Sequence, residues 1–169
     1  MGTQRYSSKE RWPGILQDLL GSEYEVIEEG LGGRTTMFDD PRPAFPERNG
    51  LQTLPILLET HLPLNLLILM LGTTDTKPMM NLNSEEIGEG MRKLIQTTKG
   101  YKVLQGTVSP EILVIVPPIV KDDTEFASQL FAGGTKKGNE LIEIYRKVAE
   151  EEGVQYFDPS KDIQVDQTE

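Results

Sequence analysis

Six consecutive apolar residues, Leu66 to Leu71, lead directly into Gly72 and the polar triplet Thr73-Thr-Asp75. An apolar run without alternation predicts a strand that is buried on both faces, as in parallel sheets. In open α/β sheets, ligands bind at the carboxyl ends of the strands. The pattern therefore predicts that any functional site lies at residues 73–75.

Two further apolar segments, Ile112 to Pro118 and Val154 to Asp158, also predict strands. Glu23 to Glu29 predicts a weaker strand, because several of its residues are acidic.

Five segments show helical spacing or helix end signals, with apolar residues recurring on one face in the longer ones. These segments are 12–21, 51–62, 84–100, 122–131 and 135–152. Ser84 is the predicted N-cap of its helix, and Pro55 is acceptable only in a first turn. Alternating helices and strands predict one α/β domain over residues 1–169, with a largely parallel sheet.

Composition narrows the classes of partner. The chain has 169 residues, with 17 basic and 27 acidic side chains and a net charge of −10. Nucleic acid and anionic membrane surfaces would be repelled by such a charge. No cysteine is present, which excludes disulfides and thiol chemistry. With no signal-peptide pattern near Met1 and no apolar run of about 20 residues, we expect a cytoplasmic protein without a membrane span.

A glycine-rich segment, Gly30-Leu-Gly-Gly-Arg34, follows the weaker strand. Such a loop can bind phosphate, but it matches neither a P-loop nor a GxGxxG fingerprint. A tight turn is therefore the favoured interpretation. His61 is the only histidine, and it lies on the apolar face of the 51–62 helix. This position favours a packed structural histidine over a catalytic one.

Three aspartates, Asp39, Asp40 and Asp75, could converge on a divalent cation. Their spacing matches no known metal-binding loop, and Asp39-Asp40-Pro is a good turn sequence in its own right. We therefore predict no metal site and no cofactor.

Three segments, in the right order, resemble one family. Glu10-Arg-Trp-Pro-Gly14, Val26 to Thr36 with Asp39-Asp40-Pro, and Leu69-Met-Leu-Gly-Thr-Thr-Asp75 are similar to successive blocks of the SGNH (GDSL-type) hydrolases. The sequences of these segments are most similar to those of the arylesterase and acyltransferase branch. The resemblance extends from about Arg5 to Asp158.

This resemblance implies a flavodoxin-like three-layer α/β/α sandwich that hydrolyses or transfers small acyl esters. Family members use a serine after the first strand and an Asp-x-x-His block near the C-terminus. Their oxyanion hole combines the N–H of that serine, an N–H of the second block and the asparagine of the third block. Carried across residue by residue, Gly33 takes the second-block position and Thr74 takes the asparagine position.

The departures from the family pattern predict an inactive chain. No Gly-Asp-Ser-Leu block precedes Tyr6, and no Asp-x-x-His block follows Asp166, although Asp166 or Glu169 could approximate the acidic position. Loss of the serine or the histidine lowers kcat by on the order of 10⁶. The family's first strand and last helix are expected to be missing.

Without that first strand, we expect either that residues 24–29 pair directly with 66–71 or that another chain fills the gap. Three hypotheses remain open. The chain is an inactive esterase scaffold, a binding module for a small acyl ester or alcohol, or a complementation fragment. Its protein partner would then be a homo-oligomer copy or a strand donor.

Overall fold

The computed structural model describes residues 5–44, 46–101 and 108–161. The chain forms two compact units, Met1–Gly32 and Gly33–Glu169. In the first unit, helix α1 spans Trp12–Leu20, with Pro13 in its first turn. Gly21 ends the helix with a φ of 73°, a conformation that glycine adopts readily. The helix predicted over 12–21 is confirmed.

The strand predicted at Glu23 to Glu29 is wrong, because residues 24–30 form no strand. The side chain of Gln17 takes the backbone groups that a neighbouring strand would have used. Its Oε1 accepts from the Val26 N–H at 2.7 Å, and its Nε2 donates to the Tyr24 carbonyl at 2.9 Å. The expected pairing of residues 24–29 with 66–71 is therefore also wrong.

The second unit begins with α2 at Gly50–His61 and β1 at Leu66–Leu69. The elements that follow are α3 (Ser84–Gly100), β2 (Glu111–Ile115), α4 (Glu125–Phe131), α5 (Gly134–Glu152) and β3 (Gln155–Phe157). The sheet order is β1-β2-β3, and both pairings are parallel. The predicted α/β class with a parallel sheet is confirmed.

Two predicted details at helix starts are wrong. Asn83, not Ser84, caps α3, because Asn83 and Glu86 form a reciprocal capping box. The Ser84 hydroxyl instead donates to Glu140 Oε2 at 2.6 Å and so links α3 to α5. Pro55 lies inside α2 rather than in its first turn.

The two faces of the sheet differ in burial, which corrects the prediction that residues 66–71 are buried on both faces. On one face, Leu69, Ile112 and Val114 join a buried cluster formed with α2, α3 and α5. On the other face, Leu66 is 43% exposed and Phe157 is 48% exposed. Among the described strands, β1 lies at one edge of the sheet and pairs only with β2.

Candidate active site

A tight loop, Gly72 to Lys77, follows the carboxyl end of β1. Its backbone closes on itself, since the Thr76 N–H donates to the Gly72 carbonyl at 3.2 Å and the Lys77 N–H donates to the Thr74 carbonyl at 3.2 Å. Gly72 has a φ of 122°, a value that residues other than glycine rarely adopt. The sequence pattern predicted that residues 73–75 follow the carboxyl end of this strand, and the structure places them there.

The Tyr145 hydroxyl fixes the base of this loop from α5. It donates to the Leu71 carbonyl at 2.9 Å. A Cβ on Gly72 would lie 2.5 Å from that hydroxyl, so only glycine permits this approach. Burial raises the pKa of Tyr145 well above its ordinary value, and the charge of Asp75 raises it further. Tyr145 therefore acts as a neutral hydrogen-bond donor.

Asp75 ties this loop to the segment that contains the glycine-rich turn. Its carboxylate accepts the Thr36 N–H at 3.0 and 3.1 Å and the Thr36 hydroxyl at 2.6 Å. Asp75 has no solvent exposure. Burial raises its pKa to about 6, while the hydrogen bonds from Thr36 act in the opposite direction. The loop after β1 and the turn before residue 36 are thus held together.

Thr36 fits against α3 only because residue 90 is glycine. A Cβ on Gly90 would lie 2.2 Å from the Thr36 Oγ1. Thr35, which is also fully buried, forms a parallel bridge with Asn49 at the start of α2. Sequence reasoning did not single out Thr36, although it lies inside the quoted second block. Its buried position depends on the packing of α3, which no local pattern reveals.

The two predicted site residues, Gly33 and Thr74, lie close in sequence to the hydrogen bonds between Thr36 and Asp75. Gly33 is three residues before Thr36, and Thr74 directly precedes Asp75. Gly33 has a φ of 83°, as the tight-turn interpretation requires, and its N–H donates no hydrogen bond among the described residues. Thr74 is 6% exposed, and its hydroxyl makes no hydrogen bond within the described part of the chain. Both positions therefore retain a donor that the described structure does not use.

The three aspartates considered as metal ligands take different partners. Asp39 accepts from the Asn49 side chain at 3.0 Å, and Asp40 is paired with Arg42. Asp75 accepts from Thr36, as above. Over residues 5–44, 46–101 and 108–161, no group of three His, Asp or Glu side chains is arranged to hold a metal ion.

Comparison with known proteins identifies the family. Residues 2–169 match the model of the GDSL-like lipase/acylhydrolase family. The chain belongs to this family. No curated protein matches the chain.

Solved structures of this SGNH family match the chain over nearly its whole length. The aryl esterase of M. smegmatis is 38% identical, with a TM-score of 0.88 over 96% of this chain and 76% of that one. A carbohydrate acetylesterase from Sinorhizobium meliloti is 37% identical, with a TM-score of 0.88 over 98% of this chain and 78% of that one. The predicted family and its fold are confirmed.

His61, the only histidine in the sequence, lies at the end of α2 that leads into β1, and the Gly72–Lys77 loop follows the other end of that strand. It is the last residue of α2, and the chain passes from it into the start of β1. His61 therefore lies near the amino-terminal end of β1, and the loop lies at the carboxyl end. Its predicted location on the packed face of α2 agrees with its partial burial.

Lys77 is a further residue of the loop that sequence reasoning missed. It is only 9% exposed, and its ammonium lies 5.1 Å from the centre of the Phe131 ring. Burial lowers the pKa of Lys77, and the neighbouring Arg42 lowers it further, against the effect of Asp40. The signal was present in the third block, where a lysine directly follows the Thr-Thr-Asp-Thr run.

A small pocket adjoins the loop on the side of β2. It is lined by Thr73 and Thr76 from the loop and by Pro117 and Pro118 after β2, with α5 closing one wall. Within the described residues, no helix combines the length and the apolar character needed to cross a membrane.

Proposed function

We propose that this chain carries the oxyanion-binding part of an SGNH esterase or acyltransferase site, and that its ligands are small acyl esters or alcohols. The observation that carries the proposal is the set of hydrogen bonds between Asp75 and Thr36. These bonds hold together the two segments that contain Gly33 and Thr74.

The proposed chemistry is stabilisation of a developing negative oxygen. In acyl transfer, the carbonyl oxygen becomes an oxyanion, and preorganised donors lower the energy of that state. The Gly33 N–H and the Thr74 hydroxyl are donors that the described residues leave unused. A threonine hydroxyl supplies one donor where the family asparagine supplies two, so a weaker oxyanion site is expected.

We further propose that these 169 residues alone do not turn over esters. Nucleophilic acyl transfer requires a serine within hydrogen-bond reach of a base. His61 lies near the end of β1 opposite to the Gly72–Lys77 loop. This position supports the proposal, since the sequence contains no other histidine. Residual catalysis by the oxyanion donors alone would be lower by a factor on the order of 10⁶.

The unpaired outer edge of β1 supports a second candidate, which is complementation by a strand-donating partner. Among the described strands, β1 is bonded only on the side of β2. Its other edge has backbone donors and acceptors that no described strand uses, and an added strand could pair with them. A partner that supplies a serine-bearing strand there would place the nucleophile next to the Gly72–Lys77 loop.

Hydrolysis of p-nitrophenyl acetate tests both candidates. The chain is assayed alone and after mixing with two peptides, one with a Gly-Asp-Ser-Leu strand and one with an Asp-x-x-His segment. We expect no turnover by the chain alone. Recovery of activity with the peptides, and its loss when the peptide serine is alanine, would support complementation.

Turnover by the chain alone that survives replacement of every serine would contradict the mechanism. Thr74→Val is the matched variant for the oxyanion role, since it keeps the shape and removes the hydroxyl. In the complemented mixture, we expect it to lower kcat by about 10²-fold. Thr60→Val, on the exposed surface of α2, is the control and should leave kcat unchanged.

A further inference from the structure

Lys77 is a buried residue whose ammonium has no polar partner among the described residues. Lys77 is 9% exposed, and its ammonium lies over the Phe131 ring. It makes no hydrogen bond and no ion pair with any residue in the described ranges. A buried ammonium is normally paired, because removing a charge from water without compensation is unfavourable. The aromatic ring compensates for only part of this loss.

Asp40, the carboxylate whose charge acts on Lys77, is already paired with Arg42. Arg42 binds Asp40 with two bonds, Nε to Oδ1 at 2.8 Å and Nη2 to Oδ2 at 2.5 Å. This bidentate geometry uses both carboxylate oxygens. Because the Arg42–Asp40 pair is neutral as a whole, the charge of Lys77 is left uncompensated in this group.

The same group borders both proposed oxyanion positions. The Lys77 N–H bonds to the Thr74 carbonyl at 3.2 Å. Arg42 Nη2 lies 4.0 Å from the position that a Cβ on Gly33 would take. Arg42 also lies close enough to the Lys77 ammonium to lower the pKa of Lys77. A ligand with its reacting carbonyl between Gly33 and Thr74 would therefore bind beside these two cationic side chains.

We propose that Lys77 is a specificity residue that binds a carboxylate group of the substrate, so that the site prefers small esters carrying one negative charge. This inference rests on the proposed function, because it places the reacting carbonyl at Gly33 and Thr74. A carboxylate fits better than a phosphate, since a chain that carries −10 as a whole favours the ligand with the smaller negative charge.

Calorimetric titration of the full chain tests the proposal without requiring turnover. The probes are monomethyl succinate, which has a free carboxylate at about pH 7, and its neutral analogue dimethyl succinate. We expect the charged ester to bind about tenfold more tightly, the range of a hydrogen bond to a charged group. Because binding is measured, the result is independent of whether the chain hydrolyses esters.

Lys77→Met keeps much of the packing against Phe131 and removes the charge, so it should abolish the preference for the charged ester. Lys93→Met is the control, because Lys93 is exposed on α3 and pairs with Glu89. It should keep the preference. Equal binding of the two esters by the unmodified chain, or a preference that survives in Lys77→Met, would overturn the role of Lys77 and leave the proposed oxyanion site intact. Binding of neither ester would overturn both proposals.

A second measurement covers the case in which Lys77→Met fails to fold. In the unmodified chain with lysine labelled at Cε, the Lys77 resonance should shift on addition of monomethyl succinate and not of dimethyl succinate. Lys77→Arg, which retains a positive charge, assigns the resonance by its absence. No shift at saturating monomethyl succinate would also overturn the proposal.

Discussion

Asp75 and Lys77 lie two residues apart on the same loop, and both are buried, but their charges have different surroundings. The Asp75 carboxylate has no solvent exposure and accepts two donors from Thr36. The Lys77 ammonium has an aromatic ring and, among the described residues, no hydrogen-bond acceptor. One group is satisfied by the protein itself, and the other keeps its donors.

This difference separates two tasks within one short loop. The hydrogen bonds of Asp75 join two segments that are distant in sequence and so serve the fold. The side-chain donors of Lys77 and Thr74 make no hydrogen bond to any described residue and are suited to a ligand. Buried polar groups are usually bonded within the protein, so those that are not indicate function.

The largest expected effect is the pH dependence of stability from Asp75. Its pKa is about 6 in the folded chain, against an ordinary value of 3.8. Between these values the folded state binds more protons than the unfolded state, so stability falls as pH rises from about 4 to 6. The difference corresponds to about 3 kcal/mol.

Urea unfolding across this pH range checks the prediction. Other carboxylates also titrate there, so the comparison is with Asp75→Asn, which keeps an acceptor and cannot ionise. The free energy of unfolding of the unmodified chain, relative to Asp75→Asn, should fall through this window and level off above about pH 6. A relative free energy that does not change with pH would show that Asp75 ionises normally.

An intermediate effect is expected from Thr36→Val. This substitution removes the hydroxyl that donates to Asp75 Oδ1 at 2.6 Å and keeps the shape of the side chain. We expect a loss of about 1–2 kcal/mol in the free energy of unfolding. Thr60→Val is the matched control, because its hydroxyl donates to the Ile56 carbonyl on an exposed surface. Equal losses in both variants would argue against a special role for the Thr36–Asp75 contact.

The smallest effect is expected from Lys77→Met. The variant loses the cation–π contact with Phe131, which destabilises the fold. It also no longer has to remove an unpaired charge from water, which stabilises the fold. Because these contributions oppose each other, we expect a change in unfolding free energy below about 1 kcal/mol. A loss as large as that of Thr36→Val would mean that Lys77 serves the fold, and would remove the contrast with Asp75.

Helices with strong periodicity were predictable from local pattern. The helix predicted at 135–152 is α5 at Gly134–Glu152, and the helix predicted at 84–100 is α3 at Ser84–Gly100. Their apolar stripes repeat at helical spacing over several turns, and glycine ends the longer one. Local preference and tertiary packing agree in these segments, so either would have led to the same assignment.

The errors occurred where a distant residue decided the outcome. Residues 24–30 have a strand-like composition, but the side chain of Gln17 binds their backbone instead. In α3, the capping position moved by one residue because Asn83 caps the helix and Ser84 is engaged by Glu140 on another helix. A local pattern contains no information on which of two polar neighbours finds a partner across the fold.

The sequence by itself determined the class of the fold and the family, and it predicted the position of the proposed site after the 66–71 run. Apolar periodicity and block order are properties of the chain, and they persist whatever the packing. Only the tertiary structure decided that Asp75 binds Thr36 and that Lys77 is buried beside Phe131. It also decided that His61 lies near the end of β1 opposite to the Gly72–Lys77 loop. These relations join residues from different segments, and they follow from the packing of helices against one face of the sheet.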